Sequence, residues 1–305
     1  MSQRLLSLAR WTQRDLLRVA AQEQRPQLLT IPYSHYCELA SWALDLGGGG
    51  RSGYREHGFA PGEHVLPALR LRVAGATPPV LAKTSRVDAM PRTREEVGVA
   101  RPRPRSNATA VPALALPDGR VLEDSWAIAE AYLGPFGDAG FKALLDEDVG
   151  PLSRQWVYEV LFRRDNKNVW DALACHDRGR LFRAAWAFGS PDLTDGMRRL
   201  FRTDDAAAMA LCRERLWAAV AAVDARLGER TGDYLGGDSP SVDDVAVAAL
   251  LAPIASPKLY VRGDYAAVFA ALLDQDADAR SEVEAFRETA AGAHAMMMYA
   301  RHRVV

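Results

Sequence analysis

Cysteine is scarce in this chain of 305 residues, which contains only Cys37, Cys175 and Cys212. An odd number of widely spaced cysteines excludes a disulfide framework and the paired thiolates of a zinc site. The six histidines also lack the spacing of a metal-binding helix, so we predict no metal. Sparse cysteine is typical of a reducing compartment, and we therefore expect a cytoplasmic protein.

The chain also lacks a dominant charge and a long apolar run. Its formal net charge is -1, so no basic excess is available for phosphates, and we predict no nucleic-acid partner. No run of about 18 apolar residues is present, and the N-terminus has no apolar signal block, so we predict no membrane segment. A hydrophobic content of 49% over this length is enough for two domains.

Residues 1–26 form an N-terminal extension in which leucines alternate with arginines. The pattern predicts an additional helix packed on the body of the protein. The alternative is an organelle transit peptide, because the segment is basic and contains few acidic residues.

The first strand is predicted at residues 27–33, which read QLLTIPY. Ser34 follows and opens a helical pattern that the four glycines 47–50 end. A short second strand is expected near residues 54–59. Residues 63–83 fit either a helix or strands, whereas residues 84–109 contain the run RPRPRS and predict a long surface insertion.

A hairpin is the clearest local prediction. Residues 111–122 read VPALALPDGRVL, and Asp118-Gly119 between two apolar segments is a strong turn signal. Ser125 then opens a helix that Gly134 ends.

Beyond residue 140 the sequence predicts helices only. Gly, Pro, Ser and Asp predict breaks at residues 189–193, 232–241 and 252–257. Ser241 and Asp244 fit a helix-capping box, with a shorter acid than usual. The predicted helices cover residues 150–164, 167–188, 204–229, 241–252, 264–274 and 279–301.

Three features of the first half fit one binding site. Ser34 lies at a strand–helix junction, where a helix N-terminus favours an anion and the hydroxyl can donate to a thiolate. Val111-Pro112 is a candidate cis peptide bond that would leave backbone groups free for an extended peptide. Asp124 and Ser125 lie at a second helix N-terminus, which suits a carboxylate.

These segments resemble the glutathione transferase family. SHYC followed by ELASWALD (34–45) is similar to the start of its first domain. VPALALPDGRVLEDSWAIAEAYL (111–133) is similar to its third and fourth strands and third helix, and GDYLGGDSPSVDDVAVAALL (232–251) to its C-terminal capping segment.

The resemblance implies an α/β thioredoxin-like domain at residues 27–137 and an all-α domain at residues 138–305. It identifies the chain with the serine- and cysteine-type members of the family. Ser34 matches the residue that those members place beside the glutathione sulfur. Val111 would pair with the cysteinyl backbone, Pro112 would be the cis-proline, and Asp124 and Ser125 would bind the γ-glutamyl group. Glutathione would be the co-substrate, an apolar electrophile would bind between the domains, and the protein would be a homodimer.

Several alternatives remain at this stage. Tyr33 and Cys37 are rival groups for the thiol, and Pro79 is a rival cis-proline. The insertion lies where the family usually has its second helix and a short connection. His64 is a candidate for the glycyl carboxylate. Use of Cys37 would make the protein a thiol-disulfide oxidoreductase, and a third possibility is a non-catalytic binding protein with the same fold.

Overall fold

The computed structural model describes residues 15–60, 62–74, 110–176 and 178–303, without the side chains of residues 72–74. The predicted insertion at 84–109, the rival Pro79 and most of the N-terminal extension lie outside the described residues. The domain boundaries given above therefore stay predictions.

Among its described residues, the first half contains a mixed sheet of four short strands. Its order is β2-β1-β3-β4, with β1 parallel to β2 and β3 antiparallel to both of its neighbours. All four residues of β1 are buried, which fits a central strand covered on both faces. The strands are Gln27–Thr30 (β1), Arg55–Gly58 (β2), Ala113–Ala115 (β3) and Val121–Glu123 (β4).

Four helices lie in the part of this half that the structure describes. The first begins at Asp15, whose carboxylate accepts hydrogen bonds from the amides of Leu17 and Arg18, and it covers one face of the sheet. The second connects β1 to β2, and the third shows that the ambiguous stretch starts as a helix. The helices are Leu16–Glu23 (α1), His35–Gly47 (α2), Val65–Ala74 (α3) and Ser125–Leu133 (α4).

The predicted hairpin is confirmed. Strands β3 and β4 pair in antiparallel register, and Gly119 adopts a φ of 88° in the turn, a region that glycine enters without steric cost. The Asp118 carboxylate accepts from the amide of Arg120 at 3.1 Å, which tightens the turn.

Helices make up the second half. The first continues through a π-helical turn at Leu145–Val149 into the second. The helices are Ala139–Leu144 (α5), Gly150–Leu161 (α6), Lys167–Ala174 (α7), Arg180–Phe201 (α8), Ala206–Gly228 (α9), Val242–Ala255 (α10), Ala266–Gln275 (α11), Ala277–Arg287 (α12) and Ala290–His302 (α13).

The predicted helix 279–301 is wrong as a single element, because a break at Glu288 and Thr289 divides it into α12 and α13. Two further predicted boundaries are wrong. The break at residues 189–193 does not exist, because α8 runs through Pro191, and the predicted helix 167–188 is instead divided between α7 and α8. Helix α10 likewise contains Pro253 and ends three residues later than predicted. Local Gly and Pro signals are weak compared with the packing of a long helix, which explains both errors.

Helix α10 is the centre of the molecule. All fourteen of its residues are buried, as expected for a helix that is apolar around its whole circumference. The core around it includes Leu39 and Trp42 of α2 from the first half, and Trp156 and Tyr299 of the second. One hydrophobic core therefore spans both halves.

Buried ion pairs also join the halves. Arg303, which follows α13, binds both carboxylate oxygens of Glu38 at 2.9 Å and also pairs with Asp45. Arg262 lies 3.2 Å from Asp45 and 2.6 Å from Glu56. We call these five residues the junction cluster. It contains three carboxylates and two guanidinium groups.

Candidate functional site

The register of the sheet brings the predicted site segments to one edge. Leu29, one residue before the end of β1, pairs with Ala113, so Val111 and Pro112 lie beside the segment that leads to Ser34. Because β1 and β3 are antiparallel, the end of one strand adjoins the start of the other.

The hairpin brings the third segment to the same edge. Ala113 pairs with Glu123 at the end of β4. The next residue, Asp124, donates its amide hydrogen to the Pro112 carbonyl at 3.2 Å. Four of the predicted site residues, Val111, Pro112, Asp124 and Ser125, are therefore neighbours.

The peptide bond between Val111 and Pro112 is cis. This agrees with the preference for Pro112 over Pro79 as the cis-proline. Pro112 itself is buried, whereas Val111 is partly exposed. The backbone of Val111 thus lies where a ligand can approach the sheet edge.

Asp124 and Ser125 begin α4. Asp124 has a φ of 91°, which non-glycine residues rarely adopt, and its carboxylate accepts from the amide of Trp126 at 2.6 Å. Ser125 is fully buried, and its Oγ has no hydrogen-bond partner in the described part of the chain. A buried hydroxyl without a partner is costly, which makes Ser125 a candidate for a ligand contact.

Ser34 is the N-cap residue of α2. Its backbone is extended and its side chain makes no capping bond, so the hydroxyl is not committed to the helix. It lies near the Cys37 sulfur and favours a lower pKa for that thiol. Ser34 is partly exposed, and its hydroxyl can therefore reach a ligand at the helix N-terminus.

Cys37 lies one turn further and is only 2% exposed. Burial raises the pKa of its thiol to about 12, although hydrogen bonds from the Ile31 amide and Ser34 oppose the shift. The thiolate is the reactive form of cysteine, so Cys37 is almost entirely in its unreactive form near neutral pH.

Tyr33 points towards the helical half. Its ring meets Trp170 and Tyr265 edge to face, at centroid distances of 6.3 and 5.9 Å. Its hydroxyl is buried without a partner in the described residues. Burial raises its pKa well above the usual 10, so the hydroxyl stays protonated and can only act as a neutral donor or acceptor.

A cavity of about 30 Å³ lies between Ser34 and the helical half. It is large enough for a water molecule or a small functional group. Most of its wall is apolar or aromatic, as in most small-molecule sites. It is lined by Tyr33, Ser34, His35, Arg154, Val157, Tyr158, Leu161, Leu173, Pro253, Tyr260 and Phe269.

Arg154 of α6 is a lining residue that sequence reasoning missed. Arginine is common in this chain, and nothing in the local pattern distinguishes this one. His64 is the residue that the sequence suggested for the glycyl carboxylate. Burial lowers the pKa of its imidazole. Its predicted role at a glycyl carboxylate stays a prediction.

Neither a metal site nor a membrane span is found in the part of the chain that the structure describes. No three His, Cys, Asp or Glu side chains there are grouped to hold an ion. None of the described helices is long and apolar enough to cross a bilayer.

Solved structures share this architecture, although no protein-family model and no curated protein matches the sequence. A glutathione transferase of Phanerochaete chrysosporium is 15% identical, with 92% of this chain and 98% of that chain covered and a TM-score of 0.53. A glutathione S-transferase of Ceriporiopsis subvermispora, solved with glutathione, is 13% identical over 86% of this chain and 97% of that chain, with a TM-score of 0.46. The fold assignment rests on the first of these two, which has the higher TM-score. The predicted resemblance is thereby confirmed for the fold: the chain has the glutathione transferase architecture, a thioredoxin-like domain followed by an all-helical one.

Proposed function

We propose that the protein is a glutathione transferase that binds glutathione at the edge of the sheet and activates its thiol with Ser34. Val111 would pair with the cysteinyl backbone, and Asp124 and Ser125 would bind the γ-glutamyl group. The observation that carries the proposal is the position of Ser34, partly exposed at the N-terminus of α2 and in the wall of the cavity between the halves.

The reaction is nucleophilic substitution. The Ser34 hydroxyl donates to the thiolate, and the helix N-terminus adds a favourable field, so the thiol loses its proton to solvent near neutral pH. The sulfur then forms a bond to an electrophilic carbon while the leaving group departs with the bonding electrons. The apolar cavity wall would exclude water from the bond that forms.

The structure gives less support to Cys37 as the reacting group. Its thiol is buried and has a strongly raised pKa, whereas a redox-active cysteine needs exposure and a lowered pKa.

A cytoplasmic homodimer is the assembly that we propose by likeness to the family. Light scattering of the purified protein would test the dimer.

The substitution Ser34→Ala tests the proposal. We expect kcat/KM for conjugation of glutathione to chlorodinitrobenzene to fall about 100-fold, because a charge-assisted hydrogen bond to the thiolate is lost. Retention on immobilised glutathione should persist. The pH at which activity rises should move upward, since the bound thiol becomes less acidic.

Ser52→Ala is the matched control, because Ser52 follows the C-terminal end of α2, is exposed and is not part of the cavity wall described above. Unchanged turnover in Ser34→Ala would remove Ser34 from the mechanism. Loss of activity in Cys37→Ser with full activity in Ser34→Ala would favour the thiol-disulfide alternative. A folded protein that does not bind glutathione would leave only the non-catalytic reading.

A further inference from the structure

In the described part of the chain, two of the three guanidinium nitrogens of Arg154 have no hydrogen-bond partner. Arg154 lines the cavity beside Ser34 and Tyr33, and none of the lining residues is an aspartate or glutamate. Its Nε and Nη2 atoms are buried and have no hydrogen-bond partner in the described part of the chain. Buried donors of a charged group are costly when they stay unpaired, so a missing acceptor is the simplest explanation.

Aromatic contacts hold the guanidinium in place without using its donors. Its central carbon lies 5.5 Å from the ring centroid of Tyr36 and 5.2 Å from that of Phe201. A cation–π contact depends on the charge of the guanidinium and needs no N–H bond to an acceptor. The donor edge of Arg154 remains available for a ligand.

Tyr33, which also lines this cavity, carries a second donor. The hydroxyl of Tyr33 is buried and has no partner among the described residues. A planar group with two acceptor oxygens can satisfy the guanidinium fork, with a lone pair left for a phenolic hydroxyl. A carboxylate has this shape and charge.

We propose that Arg154 recognises a carboxylate carried by the electrophilic substrate, so that the protein prefers anionic to neutral electrophiles. This inference rests on the proposed function, because it assigns the substrate class of the same cavity. Tyr33 would add a neutral hydrogen bond to the carboxylate. The cavity of about 30 Å³ has room for the carboxylate, so the remainder of the electrophile would lie outside it.

A carboxylate electrophile and its neutral methyl ester test the proposal. We would compare a chloronitrobenzoate with its methyl ester and measure kcat/KM for the wild-type chain, Arg154→Gln and Arg154→Lys. The ratio of acid to ester should fall about tenfold in Arg154→Gln. Arg154→Lys should retain part of the ratio, because an ammonium keeps the charge but not the planar fork.

Arg199→Gln is the matched control, since Arg199 is exposed on α8 and outside the cavity lining. It makes the same change in net charge, and it should leave the acid-to-ester ratio unchanged. An equal loss of turnover on acid and ester in Arg154→Gln would overturn the inference, because Arg154 would then act on the thiolate or on packing. An unchanged ratio in that variant would overturn it as well.

Direct binding separates this inference from the proposed function. Calorimetry with nitrobenzoate and its methyl ester requires neither glutathione nor turnover. Preference for the acid in the wild type and its loss in Arg154→Gln would support the carboxylate site even if glutathione did not bind. Glutathione binding together with no preference for the acid would overturn the inference and leave the proposed function standing.

Discussion

Ser34 and Cys37 share the first turn of α2, but their environments differ. Ser34 is partly exposed and lines the cavity. Cys37 is buried, and its sulfur accepts a hydrogen bond from the Ile31 amide at 3.4 Å. A buried sulfur of this kind is consistent with a neutral thiol, which packs as a small apolar side chain. The position of a residue in a motif therefore does not fix its chemistry.

Thiol labelling tests this difference. In the native protein we expect an alkylating reagent near neutral pH to label Cys175, which is partly exposed, and to spare Cys37 and Cys212, which are 2% and 0% exposed. Burial raises the pKa of both protected thiols to about 12. Mass spectrometry should find one label in the native protein and labels on all three cysteines in denaturant. Rapid labelling of native Cys37 would contradict the prediction.

Among the elements, α10 depends on its capping box. Ser241 and Asp244 form the predicted reciprocal pair. The Asp244 carboxylate also accepts from the amides of Leu235 at 2.7 Å and Gly236 at 3.2 Å. One acidic side chain thus fixes both the start of the central helix and the loop before it.

The substitution Asp244→Asn should lower the free energy of unfolding by about 2 kcal/mol, because an amide places a donor against backbone donors. Burial raises the pKa of Asp244, but contacts with His294, Ser241 and Leu235 outweigh it and lower the pKa below 3.8. Its stabilisation is therefore complete above about pH 4 and is lost as the pH falls through the lower, folded-state pKa. Denaturant titrations of wild type and variant should converge in acid. Asp238→Asn, at an exposed position, is the control.

The junction cluster is the second element-scale feature. Arg303→Met would leave Glu38 and Asp45 buried with fewer partners, and we expect a loss of about 3–5 kcal/mol in the free energy of unfolding. Arg301→Met is a matched control two residues earlier. Its side chain is 55% exposed and its partner Asp233 is 72% exposed, so we expect a loss below about 1 kcal/mol. Equal losses in the two variants would contradict the prediction.

For the whole molecule, the shared core predicts a single unfolding transition. Trp42 and Trp126 belong to the first half and Trp156 and Trp170 to the second, and all four lie in one core cluster. Tryptophan fluorescence and far-ultraviolet circular dichroism should therefore report the same denaturant midpoint. Two separated midpoints would show that the halves unfold independently.

Local sequence signals predicted local structure well. The hairpin around Asp118-Gly119 and the cap at Ser241 depend on neighbouring residues, and both are present. Pro191 and Pro253 led to wrongly predicted helix breaks, because the packing of a long helix overrides a local break signal. Arg154 carried no signal, since its importance comes from residues on other elements that surround it.

The junction cluster also bears on how relatives of this chain are to be compared. Glu38 and Arg303 are 265 positions apart in the sequence, yet each neutralises the other in a site that water does not reach. A descendant that lost the arginine would gain from losing the acid as well, and the two changes would tend to be inherited together. Among aligned relatives, we therefore expect positions 38 and 303 to change as a pair, a relationship that neither position shows when it is read alone.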